Sequence, residues 1–417
     1  MRKVYVAGGA CTKYIGKFHP DFVWKRHPDF GKRENPDLQD YVRDAAIEAL
    51  VDTHTTAAQV DKAFVGNFAG ELFDNQGHLG ASLAAADPDL AGKPIARLEG
   101  ACASGGLAFA AGIDAIRAGA DVVLVVGAEV QTTVSARDGA NFLARAADYK
   151  RQRPIDEFTF PALFARRAKA LTERTEATME DFARASVKAY ANAGRNPLAH
   201  MHAHKMTLEQ ASTVSDSNPT FLNNEELKPF LRVSDCSQVS DGGTALVLCS
   251  ADGVARLGRK LADCSEVLAC EVSTAALSAD PSPLALDNSA SAAKRAYAKA
   301  GVTAKEMQVA EVHDCFTVTE ILMYEALGFA DTGRGATLLR EGATAIDGAI
   351  PVNTGGGLVG FGHPVGATGV KQVLELHRQF HSMCGDYQVG GDPTLGIAAN
   401  MGGDDRTAVV TILRSAS

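Results

Sequence analysis

Residues 45–68 read AAIEALVDTHTTAAQVDKAFVGNF, and residues 294–316 read KRAYAKAGVTAKEMQVAEVHDCF. Each stretch opens as an alanine-rich helix, passes a Thr-Ala turn and closes on an apolar run of strand length. A unit that recurs in this way predicts two halves with one plan. The match continues beyond the two copies. In the first half a Gly/Cys loop opens a helix over Ser104–Ala118, followed by a strand over 121–128; in the second, a glycine loop at 355–369 opens a helix over Val370–Phe380, with strands near 395–399 and 407–413. Strands alternating with helices need helices on both sheet faces, which is α/β layering. Residues 1–8 read as a first strand, and Ser240-Asp-Gly-Gly-Thr-Ala-Leu-Val-Leu-Cys249 turns into a buried one. Between the halves the chain changes to charged helical segments, Ala162–Thr175 and Met179–Asn192, and polar loops, which suits an inserted lid.

The 417 residues are 46% hydrophobic and 22% charged, enough for a large core and without the composition of disorder. A net charge of −9, a pI near 5.7 and the lack of a polybasic run argue against nucleic acid or an anionic membrane surface as partner. The longest apolar runs, such as 121–127, fall far short of the roughly 20 residues of a spanning helix. The N-terminus lacks the pattern of a secretion signal and Arg-Ser-Ala-Ser417 is not a peroxisomal Ser-Lys-Leu, so a cytoplasmic location is expected. Eight cysteines stand singly, at 11, 102, 236, 249, 264, 270, 315 and 384, which predicts thiols rather than a disulfide framework or zinc knuckle. His200-Met-His-Ala-His204 offers alternate imidazoles to a metal but no evident fourth ligand, and reads as a surface loop. Lys17–Asp37, with His-Pro-Asp-Phe twice and the single Trp24, reads as another.

Four constellations carry the chemistry. In Glu99-Gly-Ala-Cys-Ala-Ser-Gly-Gly-Leu-Ala-Phe109, Cys102 follows a turn and precedes a helix. The positive end of the helix dipole would lower its pKa, and Ala101, Ala103, Gly105 and Gly106 would let a bulky thioester approach; the alternative is a packed small residue. In Gly360-Phe-Gly-His-Pro-Val-Gly-Ala-Thr-Gly369, His363 sits between glycine and proline on a loop, placed like a base or donor, or else a structural histidine. Val312-His-Asp-Cys-Phe316 lies at a strand's carboxyl end, where α/β units carry their sites, though Asp314 could equally cap the next helix. Asn400-Met-Gly-Gly403 could present backbone N–H groups to an oxyanion, or be a tight turn.

In this order and spacing the four resemble the thiolase superfamily, and over nearly the whole chain. The His313-Asp-Cys-Phe316 form, continuing into Glu320-Ile-Leu-Met-Tyr-Glu-Ala-Leu-Gly328, is similar to the sterol-carrier-protein-2 type, where most thiolases carry Asn-Glu-Ala-Phe. The resemblance implies a five-layer α-β-α-β-α fold: residues 1–129 with 233–262 as one half, 263–417 as the other, and 130–232 as a loop domain over a coenzyme A tunnel. It implies Cys102 as the nucleophile that forms an acyl-enzyme, with His363 taking its proton or stabilising the thiolate. Where family members have an acid/base cysteine in the last glycine loop this chain has Asn400, so Cys315 is implied as the replacement, one thiol anionic and one neutral. His313 with His363 would form one oxyanion hole, and the amides of Cys102 and Gly402 the other. Ser237 falls where the family touches the pantetheine arm, although an ordinary serine in a polar turn is the reading its local sequence favours.

The implied reaction is reversible, CoA-dependent cleavage of a 3-ketoacyl-CoA to acetyl-CoA or propionyl-CoA and a shortened acyl-CoA, by a homodimer or homotetramer. No bound cofactor or metal is expected. The alternatives are a β-ketoacyl synthase-like condensing enzyme, an aldolase-like relative that typically lacks the nucleophilic cysteine, and a non-catalytic acyl-CoA-binding protein. The joint presence of Cys102, His313, Cys315 and His363 argues against each.

Overall fold

The computed structural model describes residues 2–416. Nine strands, β1 (Tyr5–Cys11), β2 (Lys62–Gly66), β3 (Ile95–Leu98), β4 (Val122–Glu129), β5 (Gly242–Cys249), β6 (Ser265–Thr274), β7 (Val309–Val312), β8 (Leu395–Gly402) and β9 (Thr407–Ser415), pair in the order β3-β2-β4-β5-β1-β6-β9-β8-β7. Among the described residues the helices of ten or more residues are α1 (Leu38–Asp52), α2 (Ser104–Arg117), α3 (Thr159–Arg174), α4 (Met179–Ala193), α5 (Asp287–Ala300), α6 (Thr317–Ala326) and α7 (Thr368–Phe380). None is long and apolar enough to cross a membrane.

Strand orientations display the duplication. β1 joins β5 antiparallel, β5 joins β4 antiparallel and β4 joins β2 parallel; β6, β9, β8 and β7 repeat that series. β3 adds a parallel strand outside β2, and at the matching place in the second half a single parallel bridge joins Ala310 to Val352. Where the strands of the halves meet, β1 pairs antiparallel with β6 through Tyr5 with Glu266 and Val6 with Ser265.

Alternation along the strands builds the layers. On β4, Val122, Leu124 and Val126 pack with Val42, Ala45 and Ala49 of α1, while Val123 and Val125 pack with Phe109 and Ile113 of α2 and with Val370 and Val373 of α7. On β8, Ala398 joins that middle cluster, while Ile397, Ala399 and Met401 face Ala292 and Ala296 of α5 and Ile321 of α6. Helices α2 and α7 therefore lie between the strands of the two halves, with α1 and α5 outside, which is the five-layer arrangement. Segment 130–232 supplies α3 and α4, which pack on α6; α4 also packs on a π-helical turn at Gly357–Phe361.

Two sequence readings change. β8 runs to Gly402, so Asn400, Met401 and Gly402 are paired with β9 rather than lying in a turn, and only Gly403, at φ +65°, begins one. The Lys17–Asp37 segment is not all surface: Phe22 and Val23 are buried, because an irregular chain can still seat apolar side chains on the first-half core.

Candidate active site

The starts of the two central helices meet. A β-carbon on Gly105, in the first turn of α2, would lie 2.6 Å from the Gly366 carbonyl oxygen and 3.2 Å from the Gly369 nitrogen beside the start of α7. Gly105 thus serves a close backbone approach of one half to the other. Cys102 sits in the turn Ala101–Ala103 just before α2. Ala101 holds φ +55°, costly for a residue with a β-carbon, and Ser104 braces the turn by accepting from Gly100 N–H at 3.0 Å and donating to the Ala101 carbonyl at 2.6 Å.

His363 comes from the loop before α7 and His313 from the end of β7. Their rings stand edge to face, 5.1 Å apart, and the Cys102 sulfur and one nitrogen of each ring lie within 4.8 Å of one another. Hydrogen bonding assigns opposite tautomers. Thr368 Oγ1 donates to the Pro364 carbonyl at 3.1 Å, so it accepts from His363 Nδ1–H at 2.6 Å. His363 Nε2 is then a bare lone pair, buried and without a hydrogen-bond partner among the described residues. On the other ring the direction reverses. Asn400 Oδ1 accepts from Gly106 N–H at 3.2 Å and its Nδ2 donates to the Cys102 carbonyl at 3.1 Å, which fixes the amide's orientation. The same Nδ2 lies 3.2 Å from His313 Nδ1, which must accept, leaving the proton on Nε2. Burial drives both pKa values down, His363 to about 3 and His313 well below its usual value, so both rings are neutral. One histidine offers a base and the other a donor.

The thiols differ from expectation. Burial pushes Cys102 up to about 12, with the Glu129 charge adding to it, and the Gly403 amide that faces the sulfur offsets only part. Desolvation outweighs the helix dipole at Cys102 and pushes its thiol toward the neutral form. Burial also raises Cys315 far above a free thiol, with the nearby Cys102 adding to it. The two thiols are therefore not held as one anion and one acid at rest; what separates them is the lone pair of His363 facing Cys102. Gly402 lies against Ala103, and the amides turned toward the sulfur are those of its neighbour Gly403 and of Cys102 itself.

Residues around this centre fix its loops. Glu129, at the end of β4, accepts from Asn67 Nδ2 and the Phe68, Ala69 and Gly366 amides at 2.8–3.1 Å, and burial pushes its pKa up to about 7. A carboxylate closing an otherwise apolar strand was the available signal for it. Asp314 does not cap α6; its carboxylate receives the amides of Leu358 and Val359 and holds the π-helical turn. Ser237 is half-buried and its N–H donates to the Cys315 carbonyl at 2.9 Å, beside the second thiol. His200 is buried rather than on a surface loop, because its ring bonds Ser240 and the Lys17 carbonyl. Cys102, His313 and His363 bring three ligand-type atoms within 4.8 Å of one another, and the Asn400 amide, 3.2 Å from His313 Nδ1, favours the tautomer with its proton on Nε2. A neutral thiol, a facing lone pair, a buried donor and a second thiol suit acyl transfer.

Residues 29–252 match the family described as "Thiolase, N-terminal domain" and residues 269–415 the one described as "Thiolase C-terminal domain-like". An acetyl-CoA acetyltransferase of Methanothermobacter thermautotrophicus is 35% identical, over 90% of this chain and 94% of its own. Human sterol carrier protein 2 is 29% identical, over 94% of this chain and 68% of its own. Among solved structures, the "Ltp2-ChsH2(DUF35) aldolase" superposes with a TM-score of 0.78 at 20% identity, covering 99% of this chain and 98% of its own. Human mitochondrial 3-ketoacyl-CoA thiolase in complex with CoA does so at 0.71 and 18%, covering 100% and 98%.

Proposed function

The chain belongs to the thiolase family, and on that premise we propose how its own residues carry out the exchange of acyl groups. It is an acyltransferase of thiolase type. The observation that carries the mechanism is the buried, unpartnered Nε2 of His363 facing a neutral Cys102 thiol, with the His313 donor beside them.

In the cleavage direction, Cys102 gives its proton to His363 Nε2 as its sulfur attacks the keto carbon of a 3-ketoacyl-CoA. The bond between the α-carbon and the keto carbon then breaks, leaving the shortened acyl group on Cys102 and an enolate of acetyl-CoA. His313 Nε2–H and the newly protonated His363 hold the enolate oxygen, and Cys315 gives its proton to the α-carbon. Coenzyme A, deprotonated by the Cys315 thiolate, attacks the acyl-enzyme; Cys102 leaves and recovers its proton from His363. Cys102 recovers its own proton, Cys315 ends protonated by the thiol of coenzyme A, and no bound cofactor or metal takes part. The small substrates are acyl-CoA and CoA, and the working form is a homodimer or homotetramer in the cytoplasm. An aldolase would not need the thiol, whereas here the turn before α2 is built around it.

Thiolysis of acetoacetyl-CoA, with intact mass of the protein before and after, tests this. An acyl adduct on Cys102, lost in Cys102→Ala together with turnover, is expected. Full thiolysis by Cys102→Ala, or no adduct on the wild type with any acyl-CoA, would refute it. Cys315→Ala should still acylate but fail to complete carbon–carbon chemistry.

A further inference from the structure

His200 and Ser240 touch none of the reacting groups, yet the backbone of His363 rests on them. The His200 ring is 1% exposed. Its Nε2 lies 2.9 Å from the Lys17 carbonyl oxygen, which can only accept, so Nε2 carries the proton. Burial lowers the His200 pKa to about 4, so the ring is neutral and Nδ1 is bare. Nδ1 lies 2.8 Å from Ser240 Oγ, which therefore donates to it in preference to the Gln238 carbonyl at 3.2 Å. The lone pairs of Ser240 Oγ are left for the His363 N–H, 3.4 Å away.

The surrounding contacts act on the same loop. Gln131 Nε2 bridges the Ser240 and His363 carbonyls at 3.0 and 2.8 Å. The His200 and Met201 amides donate to the Phe361 and Gly360 carbonyls at 2.9 and 3.1 Å. Gly362, at φ +114°, has no room for a side chain, since a β-carbon would lie 2.5 Å from Ser240 Oγ and 3.3 Å from the His200 β-carbon. On the far side, a β-carbon on Gly16 would lie 2.6 Å from His200 Cε1.

We propose that His200 and Ser240 are positioning residues for the acyl-transfer step, forming a one-way chain of hydrogen bonds from the His363 amide through the Ser240 hydroxyl and the His200 ring to the Lys17 carbonyl. The chain sets the height of the His363 ring over the Cys102 sulfur and makes the irregular segment after β1 an arm of the catalytic loop. It gives the His200-Met-His-Ala-His204 run a task other than metal binding. The proposal rests on the reading of Cys102 and His363 as the acylating pair.

Two substitutions at one position separate the two ends of the ring. Asn at 200 keeps an acceptor near the place of Nδ1; Gln keeps a donor near that of Nε2 and loses the link to Ser240. Ser240→Ala and His200→Gln are expected to slow Cys102 acylation by acetyl-CoA and kcat by about tenfold or more, since small displacements of a reacting group are costly, with KM for CoA unchanged. His200→Asn should restore most of the rate, and circular dichroism melting should report all three as folded. Wild-type acylation rates in Ser240→Ala and His200→Gln, a change confined to KM, or His200→Asn no faster than His200→Gln would overturn the proposal. A wild type that forms no adduct would overturn the acyl-enzyme reading itself, and this proposal with it, so the two failures are told apart.

Discussion

Replacing Asn400 with Asp keeps the shape of the side chain and reverses one of its ends. The oxygen that accepts from Gly106 N–H is retained. The other end, which in the native chain donates to the Cys102 carbonyl at 3.1 Å and to His313 Nδ1 at 3.2 Å, becomes an acceptor facing two acceptors. His313 can relieve this by moving its single proton to Nδ1, which strips Nε2 of the donor that holds the oxyanion. Loss of one such donor costs about 10²–10³ in kcat, or about 2.7–4 kcal/mol. The pH dependence has a definite sign. The new carboxylate raises the His313 pKa from its depressed native value. As pH falls, His313 takes a second proton, both ring nitrogens donate, and the Nε2 donor returns. The ratio of variant to wild-type kcat for acetoacetyl-CoA thiolysis should therefore rise as pH falls from 8.5 to 6. Nitrogen chemical shifts of labelled histidine should show His313 protonated at Nε2 in the wild type and at Nδ1 in the variant at high pH. An Asn400→Asp enzyme as fast as wild type throughout, or one whose deficit deepens as pH falls, would refute the tautomer assignment.

Three further outcomes are expected. Thr368→Val removes the acceptor of His363 Nδ1–H, frees the ring to carry its proton on Nε2, and should slow Cys102 acylation on the order of 10²-fold, as loss of a general base does; an unchanged burst of acyl-enzyme would count against it. Arg167, fully buried, donates to Asp404 at 2.7 Å and to the Ser282 and Ala285 carbonyls, so Arg167→Leu should lower the unfolding free energy by about 3–5 kcal/mol in a denaturant titration, and a loss near zero would contradict it. Burial raises Glu129 and Asp74 to about 7, so folded chains hold those protons longer than unfolded ones and their stabilisation is lost as pH rises through the folded values. The depressed histidines act oppositely but only below about 6.5, so Tm should fall between pH 6.5 and 7.5 and level off above, and Glu129→Gln should flatten the slope by up to about 1 kcal/mol per pH unit; a Tm that climbs over that window would sink the argument.

The architecture was legible because it is written in local periodicity: the repeated helix, turn and strand at 45–68 and 294–316 emerge as α1 with β2 and α5 with β7. The order of the four motifs was legible for the same reason. What could not be read were properties set by distant neighbours. Asn400 orients the Cys102 carbonyl and the His313 ring from the far end of the chain, and nothing local marks an asparagine for that task. The raised Cys102 pKa comes from burial and Glu129, whereas the sequence exposes only the helix start that follows. His200 reads as surface because its neighbours His202 and Lys205 are polar, and only the folded chain brings Ser240 and Lys17 to its ring.

The glycine contact between the starts of α2 and α7 has a consequence for how the chain comes into use. Cys102 belongs to one half and His363 to the other, so on the proposed mechanism neither half owns a catalytic centre. A nascent chain that has folded only its first copy of the unit holds a thiol without its proton acceptor. Turnover is thereby a report on completed assembly, and partial products of synthesis are inert toward acyl-CoA by construction.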